Sequence, residues 1–130
     1  MGDTRTVLLV EDEPNIIEAV RFILTRGGFH VATHSDGADA AEAVRVRRPD
    51  LVILDVMLPN RSGFDILEDL RGGDDPAAVP ILMLTARGQT REREMALRLG
   101  ATQFMTKPFS NAEMLEAVRA LCAAPQGDAP

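Results

Sequence analysis

Apolar residues along the chain fall into two patterns: short unbroken runs, and longer stretches in which they recur every three or four positions. The unbroken runs are VLLV (Val7 to Val10), LVIL (Leu51 to Leu54) and PILMLT, which closes on the polar Thr85. Runs this short suit strands buried on both faces, although periodicity alone also admits a buried helical segment. Phe29, Val31 and Ala32 suggest a further strand, and Ala101 to Thr106 a fifth. Between them the spacing turns helical. Pro14 suits a first helical turn capped by Asp12 or Glu13, and Ile16, Ile17, Val20, Ile23 and Leu24 follow at helix spacing until Gly27 and Gly28. Ser35, Asp36 and Gly37 turn into an alanine-rich helix to about Arg47, closed by Pro49 and Asp50. A loop from Pro59 to Gly63 leads to a helix with Ile66, Leu67 and Leu70 inward, stopped by Gly72 and Gly73, and residues 74–79 read as a solvated connection. Arg91 to Leu99 is helical by propensity with a thin apolar face, chiefly Met95, Ala96 and Leu99, so it is expected to be a mobile element. The last helix starts near Ser110 and aligns Met114, Leu115, Val118, Leu121 and Cys122 on one face.

Strand starts near residues 6, 29, 51, 80 and 102 leave room for a helix between each pair, the rhythm of an α/β fold with a parallel sheet. Right-handed crossovers then bring all five carboxyl-terminal strand ends to one edge, where open α/β sheets place their ligands. That edge collects Glu11, Asp12, Asp55, Thr85 and Lys107. Taken singly, an aspartate such as Asp55 after a strand is more often a turn or N-cap residue. Spread over the ends of four strands, the set is distributed as a site would be, which independent capping explains poorly.

Composition narrows the function. A chain of 130 residues supports one domain that buries about two thirds of its unfolded surface. A net charge of -6 disfavours an intrinsic nucleic-acid surface, so DNA binding would need another chain or domain. No apolar run approaches the roughly 18 residues of a membrane span, and MGDTRTVLLVEDE lacks the features of a signal peptide, so a soluble, cytoplasmic protein is expected. The single cysteine, Cys122, excludes an internal disulfide and reads as core; His30 and His34 have no zinc spacing and read as surface residues. Among 14 basic residues Lys107 is the one lysine. A compact ammonium there can serve as a point charge, or be a chance survivor on a solvated surface.

Three carboxylates gathered within a few ångströms repel one another unless a cation joins them. All-oxygen ligation suits Mg²⁺, which needs one or two carboxylates and a phosphate oxygen. A carboxylate beside Mg²⁺, a hydroxyl and an ammonium is arranged to attack phosphorus, with Asp55 as nucleophile and an acyl phosphate as product.

The motifs VLLVEDE, LVILDVMLPNRSG, PILMLTA and GATQFMTKPF, in this order, resemble the receiver domain of two-component response regulators over nearly the whole chain. The resemblance implies a flavodoxin-like, doubly wound five-stranded parallel sheet of order 2-1-3-4-5, with residues 1–4 as an N-terminal tail, 5–123 as the receiver domain and 124–130 as a flexible tail or the start of a linker. It implies Asp55 as phosphoacceptor for a histidine kinase or phosphotransfer protein. Glu11, Asp12, Asp55 and the Met57 backbone carbonyl would hold Mg²⁺, Thr85 and Lys107 would contact the phosphoryl oxygens, and Lys107-Pro108 matches the family's cis peptide. Thr85 and Phe104 would switch the surface of helix four, strand five and helix five, where a downstream effector or a C-terminal output domain would bind. Ordinary core packing is the alternative for Phe104, which stands where many receivers have tyrosine. GATQF in place of GADDY removes acids used in dimer salt bridges, which weakens a phosphorylation-dependent dimer. Met57 and Arg87 occupy the variable positions flanking the site, and neither readily orients water, which favours a long-lived phosphoryl group. Two rivals stand beside this reading. A Mg²⁺-dependent aspartyl phosphohydrolase would want a second aspartate where Met57 stands, and a phosphorylation-independent pseudo-receiver would not need the full set of acids, threonine and lysine.

Overall fold

The computed structural model describes residues 4–72, 77–86 and 90–123. Residues 1–3 of the tail foreseen at 1–4, the tail foreseen at 124–130, Gly73, residues 74–76 of the expected connection and Arg87 lie outside the described residues. Elements alternate as β1 (Thr6–Val10), α1 (Pro14–Arg26), β2 (His30–His34), α2 (Ala40–Arg47), β3 (Leu51–Asp55), α3 (Gly63–Arg71), β4 (Ile81–Thr85), α4 (Thr90–Arg98), β5 (Gln103–Thr106) and α5 (Asn111–Ala123). All neighbouring strands pair parallel, in the order β2-β1-β3-β4-β5, so the expected doubly wound sheet is the observed one.

Successive side chains on a strand point to opposite faces, and the two faces carry separate cores. Val7, Leu9, Leu51, Ile53, Leu82 and Leu84 pack with α1 and α5. Leu8, Val10, Val52, Leu54, Ile81 and Met83 pack with α2, α3 and Ala96 of α4. With helices on both sides, β3 and β4 are buried at every position, which is why their sequences are continuous apolar runs. Edge strand β2 has no fully buried residue, and its apolar signal was correspondingly weak.

Helix ends follow local chemistry. Ser62 Oγ accepts from Asp65 N–H at 3.2 Å to cap α3, and Ser110 with Glu113 forms a reciprocal capping box at α5. One expectation about caps is corrected. Glu13 occupies the N-cap of α1 without any side-chain cap bond, because its carboxylate lies instead 3.6 Å from Lys107 Nζ. A single 3₁₀ turn, Gly37–Asp39, precedes α2, and that helix ends on Arg48 in the left-handed region at φ 49° in place of a glycine. His34, expected at the surface, is partly covered and bonds Asp39 Oδ1 at 2.7 Å through Nε2.

Candidate functional site

The carboxyl ends of β1, β3, β4 and β5 converge as expected. Carboxylate oxygens of Glu11, Asp12 and Asp55 lie within 4.8 Å of one another. These acids are not equivalent: Glu11 is fully buried and Asp55 nearly so at 3% exposure, while Asp12 is open to solvent. Lys107 reaches in from the far side, its Nζ 3.2 Å from Glu11 Oε1 and 3.5 Å from Asp55 Oδ2. Its peptide bond to Pro108 is cis. Thr85 ends β4, buried beside the site, and its carbonyl accepts from Lys107 N–H at 2.7 Å, so β4 and β5 fix the start of the lysine segment.

Asp55 is held from both sides. Oδ2 faces the ammonium, and Oδ1 accepts from the Met57 backbone N–H at 3.3 Å, while the Met57 side chain points to solvent. Behind it, Gly63 opens α3 so close to the strand that a Cβ there would stand 2.2 Å from the Asp55 carbonyl oxygen. The Gly63 N–H donates to Val56 O at 2.8 Å, and Val56 N–H to Leu84 O at 3.0 Å. The glycine of PNRSG thus lets the helix close against the strand end, a role that a reading of turn residues alone does not disclose.

Electrostatics follow from this crowding. Burial, then hydrogen bonding and charge repulsion from Asp55, push the Glu11 carboxyl up from 4.5 to about 7, with Lys107 opposing. Burial alone would lower the Lys107 ammonium, but the charges of Asp55, Glu11 and Glu13 raise it, so it stays cationic at neutral pH. Glu11 Oε1 is buried and makes no hydrogen bond, its contact being the ion pair with Lys107. A hard divalent cation fits this donor set: three carboxylates in reach of one point, one of them with an oxygen unsatisfied by any hydrogen bond. Glu13, which the sequence reading used only as a cap, is the extra acid near Lys107; the third acid of the EDE triplet was its available signal.

Phe104 is 5% exposed, packed into the core shared with α2 and α3, with the Arg93 guanidinium 5.4 Å from its ring centroid. Core packing therefore describes its place in this structure.

Comparison with known proteins converges on one family. Residues 7–119 match the family model described as the response regulator receiver domain. The chain is 43% identical over 120 residues to TcrX of Mycobacterium tuberculosis, covering 92% of this chain and 50% of that protein. It is 39% identical over 117 residues to the alkaline phosphatase synthesis transcriptional regulatory protein PhoP of Bacillus subtilis, covering 90% of this chain and 48% of PhoP. The chain thus spans about half the length of these curated relatives. Among solved structures, the receiver domain of the sensor histidine kinase PA1611 from Pseudomonas aeruginosa PAO1, with a magnesium ion coordinated in its active site cleft, superposes with a TM-score of 0.84 at 28% identity, over 94% of this chain and 100% of that one. Motif order, sheet topology, the acidic pocket and these matches agree: the chain is a receiver domain of the two-component response regulator family.

Proposed function

We propose that Asp55 is the phosphoacceptor of this receiver, and that residues 5–123 form the whole switching unit. The observation that carries the reading is the juxtaposition of Asp55 with Glu11 and Asp12 within 4.8 Å on one side and Lys107 at 3.5 Å on the other. Glu11, Asp12, Asp55 and the Met57 carbonyl would hold Mg²⁺. When bound, that ion supplies positive charge against the carboxylates and the phosphoryl oxygens.

The chain's own residues do the rest. A carboxylate oxygen of Asp55 attacks phosphorus while the P–N bond to the donor histidine breaks, and the leaving imidazole takes up a proton. Lys107 neutralises charge on the transferred group, and the Thr85 hydroxyl donates to one of its oxygens. The donor is a histidine kinase or phosphotransfer protein, and the domain turns over no substrate beyond its own phosphorylation and dephosphorylation. By side-chain type neither Met57 nor Arg87 readily orients an attacking water, which favours a long-lived phosphoryl group. Phe104 already lies inward, so phosphorylation acts by holding that arrangement together with Thr85, and thereby sets the α4, β5 and α5 surface for a downstream effector or an output domain. Transcriptional output in PhoP suggests the same kind of output here, through parts of the protein other than this acidic domain. A cytoplasmic setting follows from those partners. A phosphorylation-dependent dimer remains a weaker element, because Gln103 stands where the family places an acid.

The test is intact mass after incubation with Mg²⁺ and acetyl phosphate. Wild type is expected to gain one phosphoryl group only with the metal, and Asp55→Asn none. Steady phosphate release without an adduct would instead support the hydrolase reading.

A further inference from the structure

The connection between β2 and α2 contributes nothing to the acidic pocket, yet it grips the loop that does. Asp36 Oδ1 accepts two hydrogen bonds, one from Ala38 N–H at 2.8 Å and one across the gap from Asn60 Nδ2 at 3.0 Å. These bonds, Asn60's first, hold the Asp36 carboxyl below its ordinary range, so the acceptor is charged at neutral pH. One residue on, Gly37 N–H donates to Pro59 O at 3.1 Å. Gly37 is buried, and a Cβ at that position would stand 2.4 Å from Arg61 O and 2.9 Å from Pro59 O. Close approach of two backbones is therefore what requires glycine there. Asn60 itself sits at φ 69°, a left-handed conformation that asparagine tolerates better than most residues. Two consecutive residues of the β3–α3 loop, Pro59 and Asn60, are thus bonded to two residues of the neighbouring connection, and Arg61 lies close against Gly37.

The other end of that loop touches the reacting group. Met57 N–H reaches Asp55 Oδ1 at 3.3 Å, long for a hydrogen bond, so its quality depends on where the loop is held. We propose that Asp36 and Gly37 are positioning residues for phosphoryl transfer, latching residues 56–62 so that the Met57 backbone keeps Asp55 oriented between its amide and Lys107. The inference rests on the reading of Asp55 as phosphoacceptor. Without the latch the carboxylate samples orientations in which neither oxygen is aligned for attack, and transfer slows through lost alignment even though no reacting group has been removed.

The test uses the full chain and three single variants. Asp36→Ala removes the bridge, Asp36→Asn keeps an acceptor oxygen, and Asn60→Gly removes the cross-loop donor while suiting the positive φ. Two quantities are read at a temperature where all are folded: the rate of Mg²⁺-dependent phosphorylation by acetyl phosphate, and the ¹⁵N–¹H signal of the Met57 amide. Asp36→Ala and Asn60→Gly are expected to slow transfer about three- to tenfold, the scale of one weakened hydrogen bond, and to shift the Met57 signal. The double variant Asp36→Ala/Asn60→Gly should be no slower than the slower single one, because both break the same contact. Asp36→Asn should restore rate and signal together. Asp36→Ala with an unchanged rate and an unmoved Met57 amide, even at lowered Tm, overturns the latch alone, since that is what a purely structural bridge would give. A wild type that gains no phosphoryl group overturns the reading of Asp55 and the role of the latch with it.

Discussion

All five residues of β3 are buried, whereas of the nine in α4 Ala96 alone is. Both elements belong to the same sheet-and-helix unit. β3 has paired strands on either side and helices on both faces, so Asp55 at its end is carried on a backbone held from every side. α4 shows Met95 and Leu97 to solvent at 39% and 47% exposure and carries four charged residues in its first five positions. A site that must hold carboxylates and an ammonium in strained proximity needs the first kind of element. On the proposed function, the surface that changes with the state of that site is drawn from the second, where local opening costs little.

The sharpest way to break this contrast is to cut equal volumes from the two regions. Leu54→Ala, in the fully buried position before Asp55, is expected to lose about 3 kcal/mol or more through lost burial and a residual cavity. Met95→Ala should stay within about 0.5 kcal/mol, as surface changes do. Urea denaturation with comparable m-values reads both, and similar losses at the two positions would mean that α4 is anchored as firmly as the strand.

Glu11 sharpens the contrast from the side of charge. Its carboxyl is raised in the folded state to about 7 from 4.5. Between those values the folded protein binds more protons than the unfolded one, so this group's contribution to stability falls as pH rises from 4.5 to about 7 and stays lost above. Glu11→Gln removes the titration. It should therefore gain on wild type across that window, by on the order of 1–3 kcal/mol at pH 8 without metal. Mg²⁺ should narrow the gap by stabilising wild type more than the variant, which has lost one of three carboxylates. Urea curves at pH 5 and pH 8, with and without Mg²⁺, check this; parallel behaviour of the two proteins would show that crowding at the site is not a stability burden.

The rigid region was also the legible one. Continuous apolar runs announced β1, β3 and β4 because strands buried on both faces need apolar residues at every position, and each run stopped on a residue of the site. The thin face of α4 was visible for the complementary reason. Less could be read where two distant segments meet. Nothing in EDE separates buried Glu11 from exposed Asp12, since the difference lies in how β2 and β3 flank the strand end. Left-handed Arg48 closes α2 where a glycine is the usual signal, and the Asp36 to Asn60 bridge joins loops 24 positions apart that each looked like ordinary turns.

Arg71 supplies the finest test, because it pins the turn that follows the carboxyl-terminal end of α4. From the last turn of α3 its guanidinium donates to Gly100 O at 2.9 Å, to Ala77 O at 2.8 Å and, more weakly, to Thr102 Oγ1 at 3.4 Å. Gly100, at φ 110°, follows α4, and a Cβ there would stand 2.7 Å from Arg71 Cγ, so the turn is moulded on the arginine stem. Thr102 Oγ1 in turn accepts from Ile81 N–H at 3.0 Å, tying the same corner to β4. Removing the side chain in Arg71→Ala leaves two backbone carbonyls to find water, and the partly exposed corner allows it, so the global loss should be only about 1–2 kcal/mol. The local effect should be larger in kind. With its carboxyl-terminal hinge freed, α4 is expected to exchange its amide hydrogens faster, while β3 amides keep the protection set by global unfolding. Native-state hydrogen exchange separates the two outcomes: acceleration confined to α4 and the 99–102 turn marks Arg71 as the pivot of that helix, and acceleration spread evenly over β3 and α4 would show that the two regions open as one unit.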